Sequence, residues 1–230
     1  MSNIAIKDHY FEYNSIKHFR DAAEDTKLLA YGRKHDGGLG PVSYLEVQNV
    51  VKREYLAGKV DYVTTATVDW EQQSAAAVEA TGKISYFVAS GQGAESGSYS
   101  DVKKANVKLM KFVINEGPLI KILNQDAAGA LKFLSDEGAN GRVVKEIWIG
   151  LAGTIEEQFT SALTSGGSVS ATVEGASLVL GVQGKGSSST HATVLVDKGA
   201  PFAYSLCKVS NWDDHRTKVV KVNDDFYGMK

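Results

Sequence analysis

Proline and cysteine are almost missing from this chain. Its 230 residues hold 3 prolines and one cysteine, Cys207. A lone cysteine excludes an internal disulfide framework and fits a reducing compartment. In the run YSLCKV it reads as a small buried hydrophobe, because a nucleophilic thiol needs a base that the sequence does not place beside it. Scarce proline against 23 glycines favours bends, bulges and soft β-segments over rigid loops. Long apolar runs are also lacking: none approaches the roughly 18–20 residues that cross a bilayer as a helix. The opening MSNIAIKDHYFEY has no basic stretch followed by an apolar core, so a secretory signal is not expected. Excess charge of one sign is absent. A net charge of −2 argues against nucleic-acid binding by bulk charge. The expectation is a soluble, cytoplasmic chain at rest, long enough to bury a sizeable core without cross-links.

Motifs for catalysis or cofactors are missing as well. GQGAESG (91–97) has the wrong second spacing for a dinucleotide loop, and no helix is expected to follow it. GVQGKGSSST (181–190) carries Gly-Lys beside serines, but Gly186 follows the lysine and a β-segment comes next, so a phosphate loop is rejected. The five histidines, His9, His18, His35, His191 and His215, are scattered with no i, i+4 pair, which argues against a metal centre. The acidic neighbours Glu156/Glu157, Asp213/Asp214 and Asp224/Asp225 would point to opposite faces of a strand and make poor acid–base dyads. No catalytic set, cofactor or metal site is expected, and the chain does not read as an enzyme.

The middle of the chain is more informative. VKLMKFVI (107–114) alternates as a strand. NEGPLIKILN (115–124) starts a helix with Asn115 as cap and Pro118 in the first turn. AAGALKFLSDEG (127–138) is a second helix closed by Gly138, and GRVVKEIWIGL (141–151) is again a strand. Long, weakly apolar, Gly/Ser/Thr-rich alternating segments flank this unit. Val60, Tyr62, Val68 and Trp70 share one face of an expected eleven-residue strand. VSATVEGASLVLGVQ (169–183) reads as another long strand, with Val169, Val173 and Val179 on one face. ISYFVAS (84–90) is a strand, GQGAESGSYSDVKKAN (91–106) a hairpin tip or disordered loop, and HATVLVDKGAPFAYSLCKV (191–209) a strand, a turn and a strand. Residues 1–230 show no convincing boundary and read as one domain.

NSIKHFRDAAEDTKLL (14–29) fits an amphipathic helix, with Ile16, Phe19 and Ala23 at helical spacing and Lys17 and Arg20 on its polar side. Further basic pairs are Arg33/Lys34 and Lys103/Lys104. Solvated surface charge is the ordinary reading of such clusters. Their positions, on the first helix and beside the expected hairpin tip, are also where a membrane-active chain would meet anionic lipid, at about 1 kcal/mol per basic residue.

From about Leu28 to Val209 the sequence resembles the pore-forming domain of the gasdermin family. The match lies in VKLMKFVINEGPLIKILNQ, ALKFLSDEGANGRVVKEIWI and HATVLVDKGAPFAYSLCKV, where strand, short helix, helix with a Gly turn, strand, and a late strand–turn–strand follow in the family's order. The resemblance implies an α+β fold, a twisted antiparallel sheet flanked by short helices. It implies binding to acidic phospholipids, oligomerisation, and refolding of about Val60–Ile114 and Arg142–Val196 into membrane-spanning hairpins, with passage from cytoplasm to plasma membrane. Lys17, Arg20, Arg33, Lys34, Lys103 and Lys104 would contact lipid; Val60, Tyr62, Val68, Trp70, Val169, Val173 and Val179 would span the membrane. No C-terminal inhibitory domain and no early lipidated cysteine are expected. The chain looks most like one-domain fungal members that act in allorecognition and cell death, as homo-oligomers or with a variant gasdermin-like chain.

The residues themselves are compatible with that implication. A spanning β-strand needs about 9–11 alternating residues, and only a closed barrel satisfies every backbone group in lipid, so the unit must oligomerise. The alternative is a soluble β-rich module whose loops 91–106 and 184–190 form a ligand rim.

Overall fold

The computed structural model describes residues 3–35, 43–56, 58–80, 84–88, 94–152, 155, 157–158, 161, 168–173, 176–183, 191–196 and 201–229; for 62–65, 88, 94–96, 168–173, 176–183 and 191–196 it describes the backbone alone. The chain opens with three short strands, β1 (Ile4–Ile6), β2 (Tyr10–Tyr13) and β3 (Ile16–Phe19). The helix expected over 14–29 is therefore corrected to a hairpin followed by a 3-10 turn at Ala23–Asp25. The cause is local. Asn14 and Ser15 take φ of 50° and 66°, the left-handed pair of a two-residue turn that matches strand twist, and Tyr13 faces Ile16 across it. With a period of two, Phe19 is wholly buried while Ile16 is 48% exposed, so the pair that suggested one helical face does not share an environment.

Strands β4 (Ala30–His35) and β5 (Tyr44–Val50) follow, with a 3-10 turn at Arg53–Leu56, then β6 (Val60–Thr67). Gly32 in β4 is obligatory: a Cβ there would sit 1.9 Å from the Glu46 carbonyl oxygen, beside a register shift in the β4–β5 ladder. A third 3-10 turn, Trp70–Gln72, is capped by the Asp69 side chain and leads to α1 (Ala75–Glu79). Next come β7 (Ile84–Val88), β8 (Ala94–Gly97), α2 (Tyr99–Lys104) and β9 (Lys108–Val113). The expected loop over 91–106 is thus part strand and part helix; Ser98 and Asp101 form a reciprocal capping box that nucleates α2.

Helices α3 (Glu116–Gln125) and α4 (Ala128–Glu137) lie where the sequence pattern puts them, with Asn115 as N-cap of α3 and Gly138 at φ 55° closing α4. They lead into β10 (Gly141–Ala152). The remaining strands are β11 (Ser168–Val173), β12 (Ala176–Gln183), β13 (His191–Val196), β14 (Pro201–Trp212) and β15 (Val219–Asp225).

The strands form one large curled sheet, antiparallel except where β7 joins β10 in parallel. Its main path runs β1-β2-β3-β14-β10-β9-β6-β13-β12-β11. β10 is the hub, pairing with β14, β4, β9 and β7, and nearly every residue along it is buried, as a strand covered on both faces requires. On one side Val143, Ile147 and Ile149 pack with Leu119, Ile122 and Leu134 from α3 and α4. On the other, Trp148 and Ala152 pack with Phe11, Phe202, Val78 of α1 and Val102 of α2. The outer edge of β15 is covered by α3. Asn124 accepts from the Val219 N–H at 2.8 Å and donates to the Val219 carbonyl at 2.9 Å, and Glu116 accepts from the Val222 N–H. A helix amide here replaces the neighbouring strand that an open edge would recruit.

Candidate functional site

The alternating segments of the second half assemble into one antiparallel ladder. β11 pairs with β12, β12 with β13, and β13 with β6. Directly opposed residues share a face, so the register sorts the ladder without further assumption. One face carries Val169, Ala171 and Val173 of β11, Ala176, Leu178, Leu180 and Val182 of β12, and Ala192, Val194 and Val196 of β13. Every residue on it is apolar. The other face carries Ser168, Ser170, Thr172, Ser177, Gly181, Gln183, His191 and Thr193, interrupted only by Val179 and Leu195. At its β6 end the apolar face continues into Val60, opposite Ala192 and wholly buried in the core beneath α3.

This register corrects the reading of 169–183 as one strand. Val173 faces Ala176 across a reversal at 174–175, and a reversal by two residues switches the parity of everything after it. Val179 faces Ser170, on the opposite side from Val169 and Val173. The side chains of Tyr62, Val169, Val173 and Val179 lie outside the described residues. The strand from Val60 is likewise shorter than expected: it stops at Thr67. Val68 and Trp70 lie beyond it and are buried, with the Trp70 indole N–H donating to the Val107 carbonyl at 2.9 Å. The Asp-Lys-Gly turn expected after His191–Val196 lies outside the described residues; the strands on either side of it do not pair with each other, β13 pairing with β12 and β6 and β14 with β10, β3 and β15.

The six cations expected at a lipid surface do not form one patch. Arg20 is 1% exposed. Its guanidinium donates to the carbonyls of Lys7 (2.7 Å), Ala77 (2.6 Å) and Val78 (2.8 Å) and lies 4.8 Å from the Phe202 ring centre. Burial pushes its pKa down to about 10, against the opposing pull of Asp21 and Asp8. Its place on a polar helix face is corrected: it staples the end of α1 to the N-terminal strands. Lys34 is buried too, its Nζ 3.0 Å from Asp225 and 2.7 Å from the Tyr227 carbonyl. Lys17 is half-buried, donating to the Met229 carbonyl at 3.1 Å and lying over the Tyr10 ring. Arg33 is exposed and forks onto Glu137, which raises its pKa. Lys103 bonds Glu71 at 2.8 Å, which raises its pKa. Lys104 is exposed at the end of α2. Of these six, only Arg33, Lys103 and Lys104 face solvent.

Sequence reasoning missed two buried charge clusters. In the first, Glu146 of β10 gathers His18 Nδ1 (3.0 Å), the Trp148 indole N–H (3.0 Å), the Ser205 hydroxyl (3.3 Å) and Lys111 Nζ (3.5 Å). Burial alone would raise its carboxyl pKa, but these donors, His18 foremost, hold it below the usual range. Ser205 and Glu146 both approach His18 through Nδ1, whereas a relay triad needs the two ring nitrogens to serve different partners. The cluster is sheet cement linking β3, β10, β14 and β9. In the second, Asp225 holds Arg142 Nε (2.6 Å) and Lys34 Nζ (3.0 Å); burial opposes its ionised form, and hydrogen bonds from these two cations prevail and lower its pKa. The signal was available: charges inside an apolar run on a central strand must find partners. Among the described residues no group of His, Cys, Asp or Glu has the arrangement to hold a metal ion, and no helix is long and apolar enough to cross a membrane. No family model matches the chain, and neither a curated protein nor a solved structure matches it.

Proposed function

We propose that the chain is a gasdermin-like pore former. It binds acidic phospholipid, assembles with copies of itself or a variant chain, and inserts β-hairpins that permeabilise the membrane, in the manner of one-domain members acting in cell death. The observation that carries this reading is the ladder β13–β12–β11, docked on β6, with one face of its three strands wholly apolar and the other largely Ser, Thr, Gly and Gln. That segregation is what a lipid-facing, water-lined barrel wall requires. The eight residues of β12 extend to about 26 Å at about 3.3 Å per residue, about 20 Å along the membrane normal at a tilt of about 40°, so β12 must lengthen by about one to three residues on insertion to cross the apolar band of about 25 Å. The large curled sheet with few helices agrees with the fold implied by the sequence resemblance. Docking falls to Lys103 and Lys104 on α2 and to Arg33, not to Arg20 or Lys34.

The test is dye release from liposomes of neutral and of anionic composition, at low and high salt, with the protein alone and with a variant partner. Release confined to anionic vesicles and weakened by salt supports the proposal. Vesicles that stay intact under every condition refute it and leave the soluble binding module standing.

A further inference from the structure

A cleft of about 220 Å³ opens where the first turn of α4 meets the end of β5 and the 3-10 turn at Arg53–Leu56. Val50, Val51 and Tyr55 form one wall and Ala127–Ala130 the other, with Tyr31 between them and Lys52 and Asp126 also lining it. The α4 wall is bare backbone. Ala127 is the N-cap and provides no side-chain cap; alanine is among the poorest residues there. The Leu131 N–H bonds the Ala127 carbonyl at 2.9 Å, so the N–H groups of Ala128, Gly129 and Ala130 precede the first intrahelical bond and have no acceptor within the helix. No acidic residue occupies that first turn. Gly129 leaves the approach open, since a Cβ on it would meet nothing nearer than the Tyr31 hydroxyl at 3.8 Å.

Tyr31 is the second, independent observation. It is 8% exposed, its ring is held against Phe133 with centroids 5.5 Å apart, and its hydroxyl stands beside Gly129. That hydroxyl has no hydrogen-bond partner among the described residues and opens onto the cleft, where it is free to donate to a ligand. The charge balance permits an anion. Asp126 is offset by Lys59 at 3.4 Å, and Lys52 is exposed with only a loose contact to Glu54 at 3.9 Å.

We infer that this cleft binds a small ligand bearing a phosphate monoester or carboxylate group. The anionic group accepts from the free N–H groups of the α4 first turn and from the Tyr31 hydroxyl, where backbone donors and the helix dipole act together. Lys52 screens it at the rim, and a short apolar body lies against Val50, Val51 and Tyr55. At 220 Å³ the cleft falls below the roughly 300 Å³ at which pockets begin to enclose drug-sized molecules, so the body is small. The site stands independently of the pore reading.

The test is a titration of the intact, isotope-labelled chain, followed by amide resonances, at constant ionic strength. The probes are inorganic phosphate, phenyl phosphate, and a short-chain phosphatidic acid below its micelle concentration. Saturable shifts at Ala128, Gly129 and Ala130, tighter for phenyl phosphate than for inorganic phosphate, assign the site to soluble ligands. Saturation by the phosphatidic acid alone assigns it to lipid headgroups. Tyr31→Phe should weaken binding by about tenfold, the value of one hydrogen bond to a charged group, with the melting temperature unchanged. Ala127→Asp places a carboxylate on the same N–H groups, so it should raise the melting temperature and abolish the titration. Absence of saturable shifts with all three probes, or unaltered affinity in the better-capped Ala127→Asp chain, overturns the assignment.

Discussion

Replacing Arg20 by methionine separates a surface cation from a structural one. Methionine keeps much of the side-chain volume and removes the guanidinium. Two of its three acceptor carbonyls, those of Ala77 and Val78, are reached by buried hydrogen bonds, and the third, from Lys7, is part-buried. A buried acceptor left without its donor costs about 1–3 kcal/mol, so two of them put the loss at about 4 kcal/mol, partly relieved by the end of the desolvation that lowers the Arg20 pKa. Lys17→Glu removes one half-buried contact to the Met229 carbonyl and should cost about 1 kcal/mol or less. Urea denaturation of the two variants, followed by circular dichroism, reads the difference. Hydrogen exchange should also show Ala75–Glu79 losing protection first in the Arg20 variant, because the staple acts on the end of α1. The reverse order of stabilities, or an Arg20→Met chain within about 1 kcal/mol of the parent, refutes the staple.

The remaining predictions concern the ladder, the acid limit and the single thiol. Leu180→Asp should abolish dye release at about 2 kcal/mol per subunit, whereas Val179→Asp, on the largely polar face, should retain it; equal effects would count against the register. Glu146 and Asp225 both have lowered folded-state pKa values, so their stabilisation is complete above the ordinary carboxylate range near 4 and is lost as pH falls through the lowered values; melting temperatures from pH 7 down to pH 2 should drop at the acid end, and less steeply in Glu146→Gln. Asp225→Asn strands Arg142 and Lys34 and should destabilise by about 3–5 kcal/mol, measured by denaturation. Cys207 is fully buried with its thiol pushed up to about 12, so alkylation at pH 8 should proceed only at the rate of unfolding.

The stretch from Lys108 to Ala152 was legible because each boundary carries its own chemistry: Asn115 before a helix, Gly138 after one, and apolar alternation in the strands around them. The capping box at Ser98 and Asp101 was equally local and was obscured by the glycines and serines ahead of it. What could not be read locally was pairing. Ile16, Phe19 and Ala23 satisfy a helical period, and only the left-handed Asn14–Ser15 turn, stabilised by strands from elsewhere, decides for a hairpin. The reversal within 169–183, by contrast, is marked in the spacing: the apolar set moves from odd positions (Val169, Ala171, Val173) to even ones (Ala176, Leu178, Leu180, Val182) across Glu174–Gly175, and following Val169, Val173 and Val179 alone passes over that change of phase. The burial of Arg20 and Lys34 depends on carbonyls and a carboxylate far along the chain, and a basic residue in sequence looks the same whether it meets solvent or three backbone oxygens.

The placement of β14 between β3 and β10 has a kinetic consequence. The N-terminal hairpin docks on a strand from the other end of the chain: the His18–Ser205 hydrogen bond joins residues 187 positions apart, and Asn124 reaches Val219 across 95. Loops of that length must close before such contacts stabilise anything, which makes folding slow and the transition state late in topology. On a ribosome, β10 is made well before β14 and must wait with one edge unpaired, while β3 waits longer still. An interval with an open central edge is when strands from neighbouring copies are most easily exchanged. The yield of monomer should therefore depend on the rate of synthesis and on temperature more steeply than equilibrium stability alone would set.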